Sequence, residues 1–264
     1  LERYGAWVSR PALPSSPRIL VIGAGLAGAA AAHTLSRTGA QVQVCDKSRG
    51  AGGRMSTRRA PLGAFDHGAQ SFTARDPRFL RQVKLWKAAG ALVPFRGTLG
   101  RYDTAWTPAP SKETRWVAAP AMNALPKRLL QNLTLHTQTR VTQILATETG
   151  YQVFTKDGEL GQYDTVVLSV PAPQALAILG DAHPFSERLA RVQYAPCWAG
   201  MAHVEAGLPF DGGRILAGPL AWIGRQDTLP GRTPGERWIL HGTSEWTATH
   251  IEDDPAQVGQ AFRQ

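Results

Sequence analysis

The chain has 264 residues, 43% of them hydrophobic, including 8 Trp, 8 Phe and 5 Tyr, a composition that can bury a sizeable core and excludes global disorder. Twenty-nine Lys and Arg against 20 Asp and Glu give a formal charge of +9. Outside residues 47–59 the cations are dispersed, which argues against a nucleic-acid module and favours anionic small molecules as partners.

Residues 1–17 contain Pro11, Pro14, Ser15, Ser16 and Pro17 and read as a flexible extension without the apolar centre of a signal peptide. The longest weakly polar stretch, Ile19 to Leu35, is broken by three glycines and a histidine, too interrupted for a membrane span. It reads instead as a strand, a turn and a helix. Ile19-Leu20-Val21-Ile22 has the β-branched character of a buried parallel strand and runs directly into Gly23-Ala24-Gly25-Leu26-Ala27-Gly28, a GxGxxG in its expected context. Gly23 permits the tight turn, Gly25 lets a pyrophosphate approach the backbone, and Gly28 lets the helix pack closely on the strand. The following alanines favour a helix to about Arg37, whose free N-terminal amides attract an anion, and Gly39 closes it. A second strand, Val42-Gln43-Val44-Cys45, delivers Asp46 at the spacing of a carboxylate that accepts from an adenosine ribose. These features together predict a dinucleotide site.

Immediately after that acid comes KSRGAGGRMSTRR, residues 47–59, three glycines with five cationic side chains. By itself it is equally a solvated basic loop. Following Asp46, it supplies a second flexible loop that a simple nicotinamide dehydrogenase does not require. The run from Gly23 to Met55 resembles the amine-oxidase superfamily of FAD enzymes. The resemblance implies that Gly52 and Gly53 approach the cofactor's pyrophosphate and ribityl chain and that Arg54 supplies forked donors there.

Later blocks resemble a narrower group, the renalase family and its bacterial relatives. They are Phe65-Asp66-His67-Gly68-Ala69-Gln70, Ala121 to Leu129, Val166 to Gln174, Pro219 to Ile223 and Trp238 to His241. The resemblance spans about residues 18–264. It implies an α/β fold in which a Rossmann-like FAD-binding domain, residues 18–60 and 119–180, is interleaved with an α+β substrate domain, residues 61–118 and 181–264. The latter is expected to be mainly antiparallel and to hold most of the Trp. The stretch from Tyr151 to Val170 reads as a meander returning to a buried strand, which Pro171 and Pro173 stop.

The cofactor is expected to be FAD, held noncovalently, since neither cysteine lies in an attachment motif. Its implied contacts are Gly23, Gly25, Ala27, Gly28, Asp46, Lys47, Gly52, Gly53, Arg54, Gly68, Ala69, Gln70, Ser71 and Val141. Many members of the family carry Tyr where this chain has Ser71, whose hydroxyl still offers a hydrogen bond. Val141 reads equally as an ordinary strand residue. His67, Trp222 and His241 are substrate-pocket candidates, each also readable as a packing residue, as is Trp238. No Gly-x-Ser-x-Gly elbow, metal-ligand His pair or Cys-His constellation is present, so no catalytic side chain or metal site is assigned and the chemistry falls to the flavin. Cys45 and Cys197 stand apart in sequence, which suggests no disulfide framework and fits a reducing, cytoplasmic compartment.

The implied reaction is oxidation of an isomeric dihydronicotinamide dinucleotide, with oxygen as acceptor. Two alternatives stay open, an amine oxidase and a dinucleotide-binding protein without turnover. Related chains return late to the cofactor through a Gly-Asp element and a helix. No such element is read before Gln264, so either a fragment or a relative with a reduced cofactor cradle is expected.

Overall fold

Strand β1 (Arg18–Ile22) is an apolar run with Ile19 to Ile22 all buried, the environment of a central parallel strand. It is flanked on one side by β2 (Gln41–Cys45) and on the other by β13 (Thr165–Leu168), with β9 (Thr134–His136) beyond β2, so the sheet order is β13-β1-β2-β9 and every pairing is parallel. The computed structural model describes residues 14–61 and 63–263, and the chain divides into two compact units. This sheet belongs to the first, Leu1–Gly53 with Pro126–Gln193. The expected extension lies mostly in residues 1–13, outside the described residues.

Helix α1 (Leu26–Ser36) connects β1 to β2 and buries its small residues Gly28, Ala29 and Ala32. With side chains this short, the helix backbone lies close to its neighbours. A meander of β10 (Val141–Ala146), β11 (Tyr151–Thr155) and β12 (Gly158–Tyr163) pairs antiparallel throughout. Its Val141, Ile144, Val153 and Tyr163 share one apolar core with Leu20, Ile22 and Cys45 of the parallel sheet. After β13 the chain enters α4 (Ala172–Leu179), with Pro171 at the N-cap and Pro173 in the first turn. These prolines therefore do more than stop a strand. They start a helix, because a first-turn residue needs no N–H and the proline φ is already helical. A short α5 (Ser186–Ala190) follows.

The second unit comprises Arg54–Leu125 and Tyr194–Gln264. It opens with a 3-10 turn, Gly53–Met55, at the boundary with the first unit, and the hairpin β3 (Thr57–Ala60)–β4 (Gly63–Asp66). Helix α2 (Pro77–Ala88) is capped by Asp76, whose carboxylate accepts from the amides of Arg78 and Phe79, and it turns Val83 and Trp86 inward. Strands β5 (Leu92–Pro94) and β8 (Trp116–Ala118) form a small antiparallel pair. The main sheet has six strands, β6 (Leu99–Tyr102), β7 (Trp106–Pro108), β14 (Ala199–His203), β15 (Gly212–Ile215), β16 (Leu220–Arg225) and β17 (Arg237–Gly242), in the order β14-β17-β16-β15-β6-β7. It is antiparallel except where β15 meets β6. Helices α6 (Ser244–Thr249) and α7 (Pro255–Ala261) come last, capped by Thr243 and Asp254. Helix α3 (Ala124–Leu129) lies where the chain passes from the second unit back to the first. Among the described residues, no helix is long and apolar enough to cross a membrane.

Candidate functional site

In the first unit the glycine motif is fixed by backbone contacts that leave no room for side chains. Gly23 has φ +109°, and a Cβ there would lie 2.5 Å from the carbonyl oxygen of Ser169 at the end of β13. Its amide donates to the Cys45 carbonyl at 2.8 Å, which ties the turn to the end of β2. A Cβ on Gly28 would overlap the Gly23 carbonyl, so the loop and the first turn of α1 are pressed together. Gly25 is the N-cap of α1 and provides no side-chain acceptor for the opening amides of the helix. Ala27, in that first turn, is exposed.

The second glycine loop runs beside the first. The Gly52 amide donates to Ala24 O at 2.9 Å, Gly25 and Gly52 form an isolated parallel bridge, and a Cβ on Gly53 would lie 3.1 Å from Gly25 Cα. Gly53, at φ +53°, thus combines a left-handed backbone with a close approach. Asp46 joins this arrangement. One carboxylate oxygen accepts from the Ala24 amide at 2.7 Å and the other from the Ser48 amide at 2.8 Å. An ionised carboxylate has about four lone-pair sites, so two directions remain for further donors. Asp46 also clamps the glycine loop, a task its place in the motif did not suggest.

Lys47 and Arg49 are exposed, and Val141 is a buried core residue of β10. Cys45, beneath Asp46, is fully buried. Burial first, and the Asp46 charge second, push its thiol up to about 12.

The second unit gathers a different group. Arg54 has an exposed side chain with no ion pair within 4 Å among the described residues. Its backbone carbonyl accepts from Ala69 at 2.9 Å, and a Cβ on Gly68 would overlap that carbonyl. The Gly68-Ala69 segment is thereby held flat against the turn that carries Arg54. His241 Nε2 lies 2.9 Å from the His67 carbonyl oxygen. A carbonyl only accepts, so Nε2 carries the proton and Nδ1 is left as an acceptor. Burial holds the His241 pKa below its ordinary value, opposed in part by this hydrogen bond. His67 Nε2 lies 3.3 Å from Ser56 Oγ, whereas its Nδ1 is buried without a partner.

Gln70 Oε1 accepts from Trp222 Nε1 at 3.4 Å, and Gln70 Nε2 is buried without a partner. A Cβ on Gly224 would overlap Gln70 Oε1, so this glycine makes room for the glutamine. Ser71 Oγ accepts from Arg115 Nη1 at 3.4 Å, and the Arg115 guanidinium lies 5.7 Å from the Trp222 ring centroid. Of the candidates, His67 and His241 come together, as do Gln70, Ser71 and Trp222. Gly224 and Arg115 went unread in the sequence. The only local signal for Arg115 is its position directly before strand β8.

Behind this group lies a buried polar network. Asp66, 1% exposed, is paired with Arg232, accepts from Thr57 Oγ1 at 2.5 Å and from the Met122 amide at 3.2 Å, and its own amide donates to Gln226 Oε1 at 2.8 Å. These contacts fix the end of β4 immediately before His67 and Gly68.

Two family models match in succession. A model for an NAD(P)-binding Rossmann-like domain matches residues 21–84, and one for flavin-containing amine oxidoreductase matches residues 85–199. Mouse (Mus musculus) renalase is 28% identical over 208 residues, taking in 72% of this chain and 59% of that protein. Among solved structures, a fatty acid isomerase from P. acnes that produces CLA matches with a TM-score of 0.69 at 14% identity, over 94% of this chain and 84% of its own. A putrescine oxidase bound to putrescine matches with a TM-score of 0.69 at 12% identity, over 93% and 80%. These two similarities carry the fold alone.

Proposed function

We propose that the chain is an FAD-dependent oxidoreductase acting on a reduced small molecule, an isomeric dihydronicotinamide dinucleotide, a reading supported by the match of residues 85–199 to flavin-containing amine oxidoreductase. The observation that carries this reading is the double glycine loop. A Cβ on Gly53 would lie 3.1 Å from Gly25 Cα, so the two glycines pass close, backbone beside backbone, at the start of α1. A helix start capped by glycine offers main-chain amides and a positive dipole end to a pyrophosphate. The residues present therefore fit the ADP portion of FAD. Asp46 keeps lone pairs for a ribose, Arg54 is an unpaired cation one residue beyond Gly53, and Val141 and Lys47 flank the adenosine side in the proposed assignment. In the second unit, the unpartnered Gln70 Nε2 is a buried donor awaiting an acceptor, which suits a flavin carbonyl.

Bound FAD supplies two-electron acceptance from a reduced donor, with oxygen as terminal acceptor and hydrogen peroxide as product. The chain's own residues bind and orient. Gly68 and Ala69 are proposed to admit close approach of the ring, Gln70 and Ser71 to donate to it, and His241, neutral near pH 7, to line the donor side with His67 and Trp222. Noncovalent binding predicts that denaturation releases free FAD.

The deciding experiment is anaerobic mixing of the yellow protein with each donor in turn. Bleaching of the flavin absorbance by isomeric dihydronicotinamide dinucleotides supports the proposed substrate. Bleaching by amines alone refutes it in favour of amine oxidation. An FAD-bound protein that turns over neither donor refutes both substrate readings.

A further inference from the structure

Arg115 is a half-buried cation with no carboxylate partner. Among the described residues no carboxylate oxygen lies within 4 Å of it, and the nearby Glu113 is engaged by Arg75 through two bonds of 2.6 Å. Its guanidinium meets the Ser71 hydroxyl at 3.4 Å and the face of Trp222. Its Nε is buried with no hydrogen-bond partner, and so is Gln70 Nε2, whose side chain meets the Trp222 indole. An unmet buried donor costs about 1–3 kcal/mol, more when charged, so two of them beside one tryptophan are retained only if something else accepts from them. Water satisfies such donors as an acceptor without charge, and the Glu113 carboxylate, which feels the Arg115 charge, is already bonded to Arg75.

We infer that Gln70, Ser71 and Arg115 form a subsite for an oxyanion, a phosphate or carboxylate group carried by a bound ligand. The chemistry follows from the donor set. A guanidinium presents a planar fork that matches two oxygens of such a group, and the Gln70 amide adds a neutral donor. Trp222 acts as a positioning residue, holding Gln70 through its indole N–H and Arg115 against its ring face. The same arrangement disfavours a cationic ligand, since Arg115 already occupies the π-face that an ammonium group would use. The inference rests on the proposed function only for the identity of the ligand, a phosphate of the substrate, since the FAD pyrophosphate is assigned to the start of α1.

The test compares wild type with Arg115→Gln and Gln70→Glu in two titrations. The protein freed of cofactor is titrated with FAD, and the FAD-loaded protein is titrated calorimetrically with inorganic pyrophosphate. Loss of one charged donor is expected to weaken binding roughly ten- to a hundredfold. Arg115→Gln is expected to lose pyrophosphate while its FAD affinity stays within about twofold of wild type, and a loss confined to FAD overturns the oxyanion subsite and leaves Gln70 as a flavin contact only. Gln70→Glu puts a negative charge where the oxyanion would sit, so it should lose the same ligand while keeping Arg115 in place. If both variants keep the wild-type circular dichroism spectrum and neither affinity changes more than about twofold, the subsite does not exist. Because the titrations measure binding, absence of turnover with every donor would overturn the proposed activity without touching this result.

Discussion

The Asp66–Arg232 pair offers a direct test of how the second unit is held together. The two side chains are 1% and 4% exposed. Breaking so deeply buried a pair from one side costs about 3–5 kcal/mol, because the remaining charge is stranded in a medium that solvates it poorly. The two single variants should differ. Arg232→Met leaves Asp66 with the Thr57 hydroxyl and the Met122 amide as donors, which places the loss near the lower end, about 3 kcal/mol. Asp66→Asn leaves a guanidinium whose Nε already lacks a partner, which places the loss near the upper end, about 5 kcal/mol. The double variant removes both charges and should recover most of the difference, since charge pairs of this kind are replaceable by apolar groups of similar volume. Seven of the eight tryptophans, all except Trp7, lie in the second unit, so their fluorescence reports on its unfolding. With a urea dependence of about 1–3 kcal/mol per molar, a loss of about 3 kcal/mol moves the midpoint by about 1 M or more. Single variants that lose less than about 1 kcal/mol, or a double variant no better than either single one, would refute this account.

Three other outcomes can be checked separately. Cys45 is buried with its thiol pushed up to about 12, while Cys197 is exposed, so alkylation of the native protein by iodoacetamide should give one adduct by mass spectrometry, at Cys197; a second adduct before unfolding contradicts the burial of β2. Burial keeps the His241 pKa below its ordinary 6.5, so the unfolded chain binds a proton that the folded chain resists. Stability is then complete above about 6.5 and falls as the pH drops through the lowered folded value. His241→Gln should flatten this part of the urea-midpoint profile followed by tryptophan fluorescence, and an unchanged slope counts against it. Arg54→Ala should weaken FAD binding roughly tenfold or more at low salt, and Arg59→Ala by much less; equal small losses would return residues 47–59 to a solvated basic loop.

Local structure could be read from the sequence. The strand at Ile19–Ile22, the glycine turn, the alanine helix and the strand ending at Cys45 are encoded by neighbours in the chain, and the structure places them in a parallel sheet. The part of the meander from Tyr151 onward was legible for the same reason, its turn being short, but β13, expected to be buried, is only half-buried along its length. Pro171 and Pro173 were read only as strand breakers. Their second role depends on the helix-forming run of Ala172 to Leu179 around them, since a proline that ends a strand also suits the first turn of a helix.

The long-range side-chain groupings were not legible. Arg115 and Ser71 are 44 residues apart, Gln70 and Trp222 are 152 apart, and Asp66 and Arg232 are 166 apart. No periodicity or spacing rule relates positions so distant, and although the resemblance singled out Gln70, Ser71 and Trp222, nothing in the sequence joined them to each other or to Arg115. The backbone brings Ser71 and Arg115 together. Phe72 and Trp116 exchange hydrogen bonds of 3.0 and 2.8 Å, an isolated bridge that aligns the two segments next to these residues. Gly224, directly before Arg225 at the end of β16, leaves the space that Gln70 fills. In sequence this glycine is a mere break in an apolar strand, whereas in three dimensions it seats the glutamine of the proposed flavin side. Gly224→Ala should therefore displace Gln70 and weaken FAD binding in a titration of the cofactor-free protein, without replacing any residue that would contact the cofactor. An affinity equal to wild type, with the fold intact by circular dichroism, would remove Gln70 from the proposed flavin contacts.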